Sequence, residues 1–152
     1  MREDGFTLLE LLIAVAIIAI LLSIGTLAFN SMTRKSAIEA QTKEIYADLM
    51  TARSEALYRK TTRSVSVTTT QFTINDSTGT AVLQKTFKQT MAENDANVLT
   101  FGENGVADFP KAYCIGPVGN EAFIDSVIVS STIILTGKRT GGACISANIQ
   151  AR

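Results

Sequence analysis

Histidine and tryptophan are both absent from the 152 residues. The missing histidine removes the usual general base, the commonest transition-metal ligand and every histidine-containing nucleophilic triad. An enzyme is not expected, and no cofactor is called for. Phosphate-loop, zinc and calcium-loop motifs are missing as well. Asn75, Asp76 and Asp95 are scattered loop groups, read as solvated side chains and not as a cation site. Neither sign of charge is in excess, with 14 Lys plus Arg against 14 Asp plus Glu, so nothing global draws the chain toward nucleic acid or an acidic partner. Proline occurs twice, at Pro110 and Pro117, which leaves everything before Pro110 free of a helix breaker. Cysteine also occurs twice, at Cys114 and Cys144, without the Cys-x-x-Cys spacing of metal or redox sites.

What the chain does have is one long apolar run. From Leu11 to Leu22 no side chain is polar, and between Leu8 and Phe29 only Glu10, Ser23, Gly25 and Thr26 interrupt. As a helix this stretch is roughly 30 Å long, enough to cross a bilayer core. Glu10 stands one turn inside it. Unpaired in the bilayer, that carboxylate costs about 2.5 to 3.5 kcal/mol on an insertion scale, so an intramembrane acid implies a partner.

The sequence Gly5-Phe6-Thr7-Leu8-Leu9-Glu10, after a short charged leader and leading straight into the apolar helix, resembles the signal of type IV pilins and of the pseudopilins of type II secretion. The resemblance implies cleavage by a prepilin peptidase between Gly5 and Phe6, N-methylation of Phe6, and a pairing of Glu10 with the terminal amine of a neighbouring subunit. In a low-dielectric medium such a pair offsets the desolvation of both charges and sets axial register. Arg2 precedes the apolar run and Arg34 and Lys35 follow it, so the positive-inside rule does not choose an orientation. The resemblance implies a cytoplasmic amino terminus, a single pass through the inner membrane and a periplasmic remainder, later part of a pilus or pseudopilus. In an exported domain an even cysteine count suggests a Cys114–Cys144 disulfide, with two separate buried thiols as the other reading.

From Ser31 to about Tyr58 the chain reads as a polar helix with one apolar stripe. Ile38, Thr42, Ile45, Leu49, Ala52 and Ala56 recur at alternating spacings of four and three, while most charged residues fall elsewhere. The membrane helix is therefore expected to run on into an amphipathic half, with Gly25 its one soft point. The segment Leu49-Met50-Thr51-Ala52-Arg53-Ser54-Glu55-Ala56 resembles the helix end of GspH/FimT-type minor pseudopilins.

From Arg63 the period switches to two. Val65 and Val67, then Phe72 and Ile74, alternate with polar residues, and Asn75 to Gly79 forms a turn before a strand from Thr80 to Phe87. Met91 to Asn97 reads as a loop and Val98 to Phe101 as a short strand before the Asn104-Gly105 turn. Phe101 to Gly105 also resembles a hairpin of GspH/FimT proteins. Ser126 to Thr136 reads as a buried strand or a pair of them.

The expected architecture is α+β: a leader at 1–5, a transmembrane or filament-core helix at 6–30, an amphipathic helix at 31–62, and a small antiparallel β domain at 63–152. The function implied is that of a type IV pilus minor pilin, incorporated near the tip and helping to prime assembly. A type II secretion pseudopilin of the GspH type is the alternative. A DNA-binding minor pilin for natural transformation is a third, with Arg59, Lys60, Arg63, Lys138 and Arg139 as its basic patch. The implied partners are other pilins or pseudopilins, the peptidase and, before assembly, the inner membrane.

Overall fold

The computed structural model describes residues 7–152, the side chains of residues 23–28 excepted. The leader, the Gly5/Phe6 cleavage point and the side chains beside Gly25 thus lie outside the described residues. The chain divides into two compact units, Met1–Arg34 and Lys35–Arg152. One element, α1 (Leu8–Arg59, 52 residues), belongs to both.

In the first unit every described side chain from Leu8 to Leu22 is solvent exposed, Leu12 at 60% and Leu21 at 64% among them. Among the described residues no helix is long and apolar enough to cross a membrane. The described apolar run stops at Leu22, short of the roughly 20 residues a spanning helix needs. Phe6 and the side chains of residues 23–28, which would complete the expected span, lie beyond it.

In the second unit the apolar stripe of α1 meets its partners. Ile38, Thr42, Ile45, Leu49, Ala52 and Ala56 are all buried. Thr42 is tolerated there because its hydroxyl donates to the Ile38 carbonyl one turn back, at 2.8 Å. The helix closes after Arg59 with Lys60 in the left-handed region at φ 54° and Thr61 N–H bonded to the Ala56 carbonyl.

Among the described residues nine strands follow: β1 Arg63–Val67, β2 Gln71–Asn75, β3 Ala81–Thr86, β4 Met91–Glu93, β5 Leu99–Phe101, β6 Lys111–Ile115, β7 Ser126–Val129, β8 Ile134–Arg139 and β9 Ile149–Ala151. They form two antiparallel sheets, ordered β3-β2-β1-β5 and β4-β6-β7-β8-β9. One core joins the helix stripe to Val65, Phe72, Ile74, Leu99 and Phe101 of the first sheet and Tyr113, Ile115, Val127, Val129 and Ile134 of the second. Burying each of the larger side chains contributes about 1.5–3 kcal/mol. A smaller cluster of Ala112, Cys114, Cys144 and Ile149 lies apart from it, where the chain's tail covers the second sheet.

One expectation changes, one open alternative is settled and one strand is added. The Met91–Asn97 loop contains β4, a three-residue edge strand whose Met91 is buried against the core; one apolar side chain in a polar stretch carries no period to read. The Ser126–Thr136 stretch resolves into a hairpin, β7 and β8, closed by Ser130 N–H donating to the Ile133 carbonyl at 2.8 Å. The tail after Gly142 supplies β9, which pairs with β8 so closely that Gly137 is required. A Cβ at Gly137 would stand 2.5 Å from Ile149 Cγ2 and 2.8 Å from the Gln150 carbonyl oxygen. Gly137→Ala is therefore expected to cost about 1–3 kcal/mol by overpacking. Chemical denaturation of the full chain, with hydrogen exchange at residues 149–151, checks both the size of the loss and its seat in β9.

Candidate assembly site and basic surface

Glu10 sits in the first turn of α1, where an acid complements the helix dipole. Its carboxylate Oε2 accepts from both the Thr7 N–H and the Thr7 hydroxyl at 3.2 Å, while the Glu10 N–H donates to Thr7 Oγ1 at 3.2 Å. This reciprocal capping box satisfies two otherwise orphaned helix donors. Its signal, Thr-x-x-Glu, was present in the sequence. Thr7 also gives Glu10 a partner within its own chain.

The five basic residues grouped in the sequence do not form one exposed surface. Arg59 and Lys60 are exposed at the end of α1. Arg63 is 4% exposed on β1, where its guanidinium donates to Glu55 Oε2 at 3.3 Å, to Thr61 Oγ1 at 3.3 Å and to the Thr62 carbonyl. Lys138 turns inward from β8 to Asp125. Arg139 is 6% exposed, spends one nitrogen on the Gly116 carbonyl at 2.9 Å, and leaves Nε buried without a partner among the described residues. Phosphate binding by counterion release needs cations in contact with water. Two of the five are buried and a third is tied to a buried acid, so the patch reduces to Arg59 and Lys60. The spacing of charges along the sequence does not reveal which face of a strand they occupy.

Burial instead gathers charges that the sequence does not single out. Asp125 is fully buried; its Oδ1 accepts from the Arg139 N–H at 2.7 Å and Ser126 Oγ at 2.8 Å, its Oδ2 from Lys138 Nζ and Asn120 Nδ2 at 2.8 Å each. Burial pushes its carboxyl up, yet Lys138, Arg139, Ser126 and Asn120 together outweigh this and hold it below the ordinary 3.8. Lys111, also buried, reaches Glu93 at 3.1 Å and Asp95 at 3.0 Å and donates to the carbonyls of Asp95 and Asn97. The Lys111 bond holds the Asp95 carboxyl below its usual value. Both networks fasten loops to the second sheet. Neither offers an open cleft with a free nucleophile. Among the described residues no group of three or more metal-ligating side chains occurs.

Cys114 on β6 and Cys144 in the tail are joined in a disulfide, with Cα atoms 5.8 Å apart.

The family model for the prokaryotic N-terminal methylation motif matches residues 1–26. The structure is similar to the type IV minor pilin FimU of Pseudomonas aeruginosa in two crystal forms. In the first, the match has a TM-score of 0.60 at 19% identity and covers 75% of this chain and 99% of that one. In the second, the TM-score is 0.54 at 20% identity, covering 70% and 99%. The fold is type IV pilin-like. No curated protein matches the chain. In pilin-like terms, α1 is the long amino-terminal helix and the two sheets form the body against which its second half packs.

Proposed function

We propose that the chain is a minor pilin of a type IV pilus, incorporated at or near the tip, where it helps prime filament assembly. The reading rests on one conjunction: a methylation motif at residues 1–26 on a chain whose body folds like a minor pilin. Cleavage by a prepilin peptidase between Gly5 and Phe6 frees the Phe6 amine, which becomes methylated. Residues 1–5 act as the leader, 6–30 as the inner-membrane anchor and later the filament core, 31–62 as the amphipathic helix, and 63–152 as the periplasmic β domain.

The mechanism requires no catalysis by this protein. In the bilayer the exposed side chains of Leu8–Leu22 face lipid; on extraction they pack against the apolar helices of neighbouring subunits, which keeps their surface out of water. Glu10 then exchanges Thr7 for the amine of an adjacent subunit, and that pair fixes axial register.

The test is deletion of the gene in a strain unable to retract pili, with surface pili counted by electron microscopy. Pili are expected to be lost, and restored by the wild-type gene but not by Glu10→Ala. A normal count would overturn the priming role, and impaired secretion in the same strain would move the protein to the pseudopilin alternative.

A further inference from the structure

Two sheets have four edges, and three of them are closed or very short. The outer side of β5 carries the Phe101–Ala107 bridge, and Thr100 exchanges bonds with Asp108: the Asp108 N–H to its carbonyl, its own N–H to Asp108 Oδ1, both at 3.0 Å. On β4 the Met91 N–H donates across the gap to the Thr69 carbonyl at 2.6 Å. The β9 edge is three residues long. By contrast β3 runs six residues, and among the described residues no strand pairs with its outer side. The Phe87 N–H bond to the Thr70 carbonyl sets the phase of the β2–β3 ladder. Gln84 and Thr86 therefore turn their N–H and C=O groups away from β2. Such a row is a template for another strand.

Beside this edge lies a groove of about 170 Å³ between α1 and β3, bordered by Asp48, Thr51, Glu55 and Val82. Its floor is Ala52 and Ile74, 2% and 5% exposed, and Val82 on the rim is 55% exposed. The small side chain of Ala52 leaves the hollow open, and the irregularity at Ile74/Asn75 shifts β3 relative to β2. The volume suits one apolar side chain, since a cavity of about 150 Å³ takes up benzene. Around it stand three carboxylates, Glu44, Asp48 and Glu55, against two cations, Lys85 and Arg63. One negative charge is left over.

We propose that the β3 edge and this groove receive an extended strand of an adjacent subunit, bonded to Gln84 and Thr86, with an apolar side chain over Ala52 and a cationic one beside Glu55. Strand addition of this kind takes affinity from the main chain and selectivity from the pocket. The inference rests on the filament role proposed above.

Hydrogen exchange of residues 81–87 in the full chain, compared between detergent solution and sheared filaments, tests it. Exchange at Gln84 and Thr86 is expected to slow by about tenfold or more on assembly. Gln84→Pro removes an outward donor that β2 does not use, and Val82→Lys sets a cation on the groove's exposed rim. Each is expected to be cleaved and to melt like wild type in detergent, yet to enter filaments at about a fifth of the wild-type level or less. A chain present in filaments with unprotected β3 amides, or full incorporation of both variants, overturns the inference and leaves the filament role standing. Absence of the wild-type chain from filaments overturns both.

Discussion

Replacing Asp125 with alanine is expected to destabilise the full chain by about 3 kcal/mol or more, a large part of the roughly 5–15 kcal/mol that holds a domain together. The carboxylate accepts four hydrogen bonds at 2.7–2.8 Å and has no exposed surface. Its removal leaves the Arg139 N–H buried and unpaired and strips Lys138 of its only ion pair among the described residues. The Lys138 side chain keeps 16% exposure and can turn partly to water, which limits the loss. Lys138→Met is expected to cost less than Asp125→Ala, because it removes the cation whole and leaves the three other bonds to Asp125 intact. The pH dependence has a definite sign. The folded carboxyl lies below the unfolded value of 3.8, so the stabilisation is complete above that value and disappears as pH falls through the lower folded one. Urea titrations from pH 6 to pH 2.5 are expected to show wild type and Asp125→Asn converging at the acid end. A constant gap across that range would mean that the Asp125 charge does not contribute.

The sequence disclosed the elements whose burial is periodic. The stripe Ile38, Ile45, Leu49, Ala52 and Ala56 needs only the 3.6-residue repeat to be found, and Val65, Phe72 and Ile74 only the alternation of a sheet with one covered face. It was silent where burial is not periodic. Every residue of β6 is buried, because one face meets the core and the disulfide-tied tail covers the other. Lys111 inside that strand reads as a surface charge until Glu93 and Asp95 arrive from β4 and the loop after it. The same blindness applied to the basic residues. Their grouping along the chain is visible in the letters, but Arg63 and Arg139 are buried by partners remote in sequence. The Thr7–Glu10 contact lies within one helical turn, so its Thr-x-x-Glu signal is local and stands in the letters, although the family resemblance implied for Glu10 only a partner in a neighbouring subunit.

The second large effect is expected at the disulfide. Cys114→Ala with Cys144→Ala should destabilise the full chain by about 3–4 kcal/mol, the loop-closure entropy that a bridge of sequence separation 30 removes from the unfolded state. For a chain of this size that is a melting-temperature loss of roughly 10 °C. Alanine is the appropriate replacement because Cys114 is fully buried beside Ala112 and Ile149, where a serine hydroxyl would have to find a partner. The native-state consequence should be local. The bridge ties the turn before β9 to β6, with β7 and β8 lying between β6 and β9 in the same sheet, so amides of residues 143–151 are expected to lose protection before those of β6 and β7. Gly137→Ala attacks the same junction from β8, through Ile149. If both lesions act by freeing β9, the combined variant should lose less than the sum of the two, because a strand already released cannot be released again. Strict additivity would place the disulfide's contribution wholly in the unfolded chain, with β9 held by its own ladder to Gly137–Arg139.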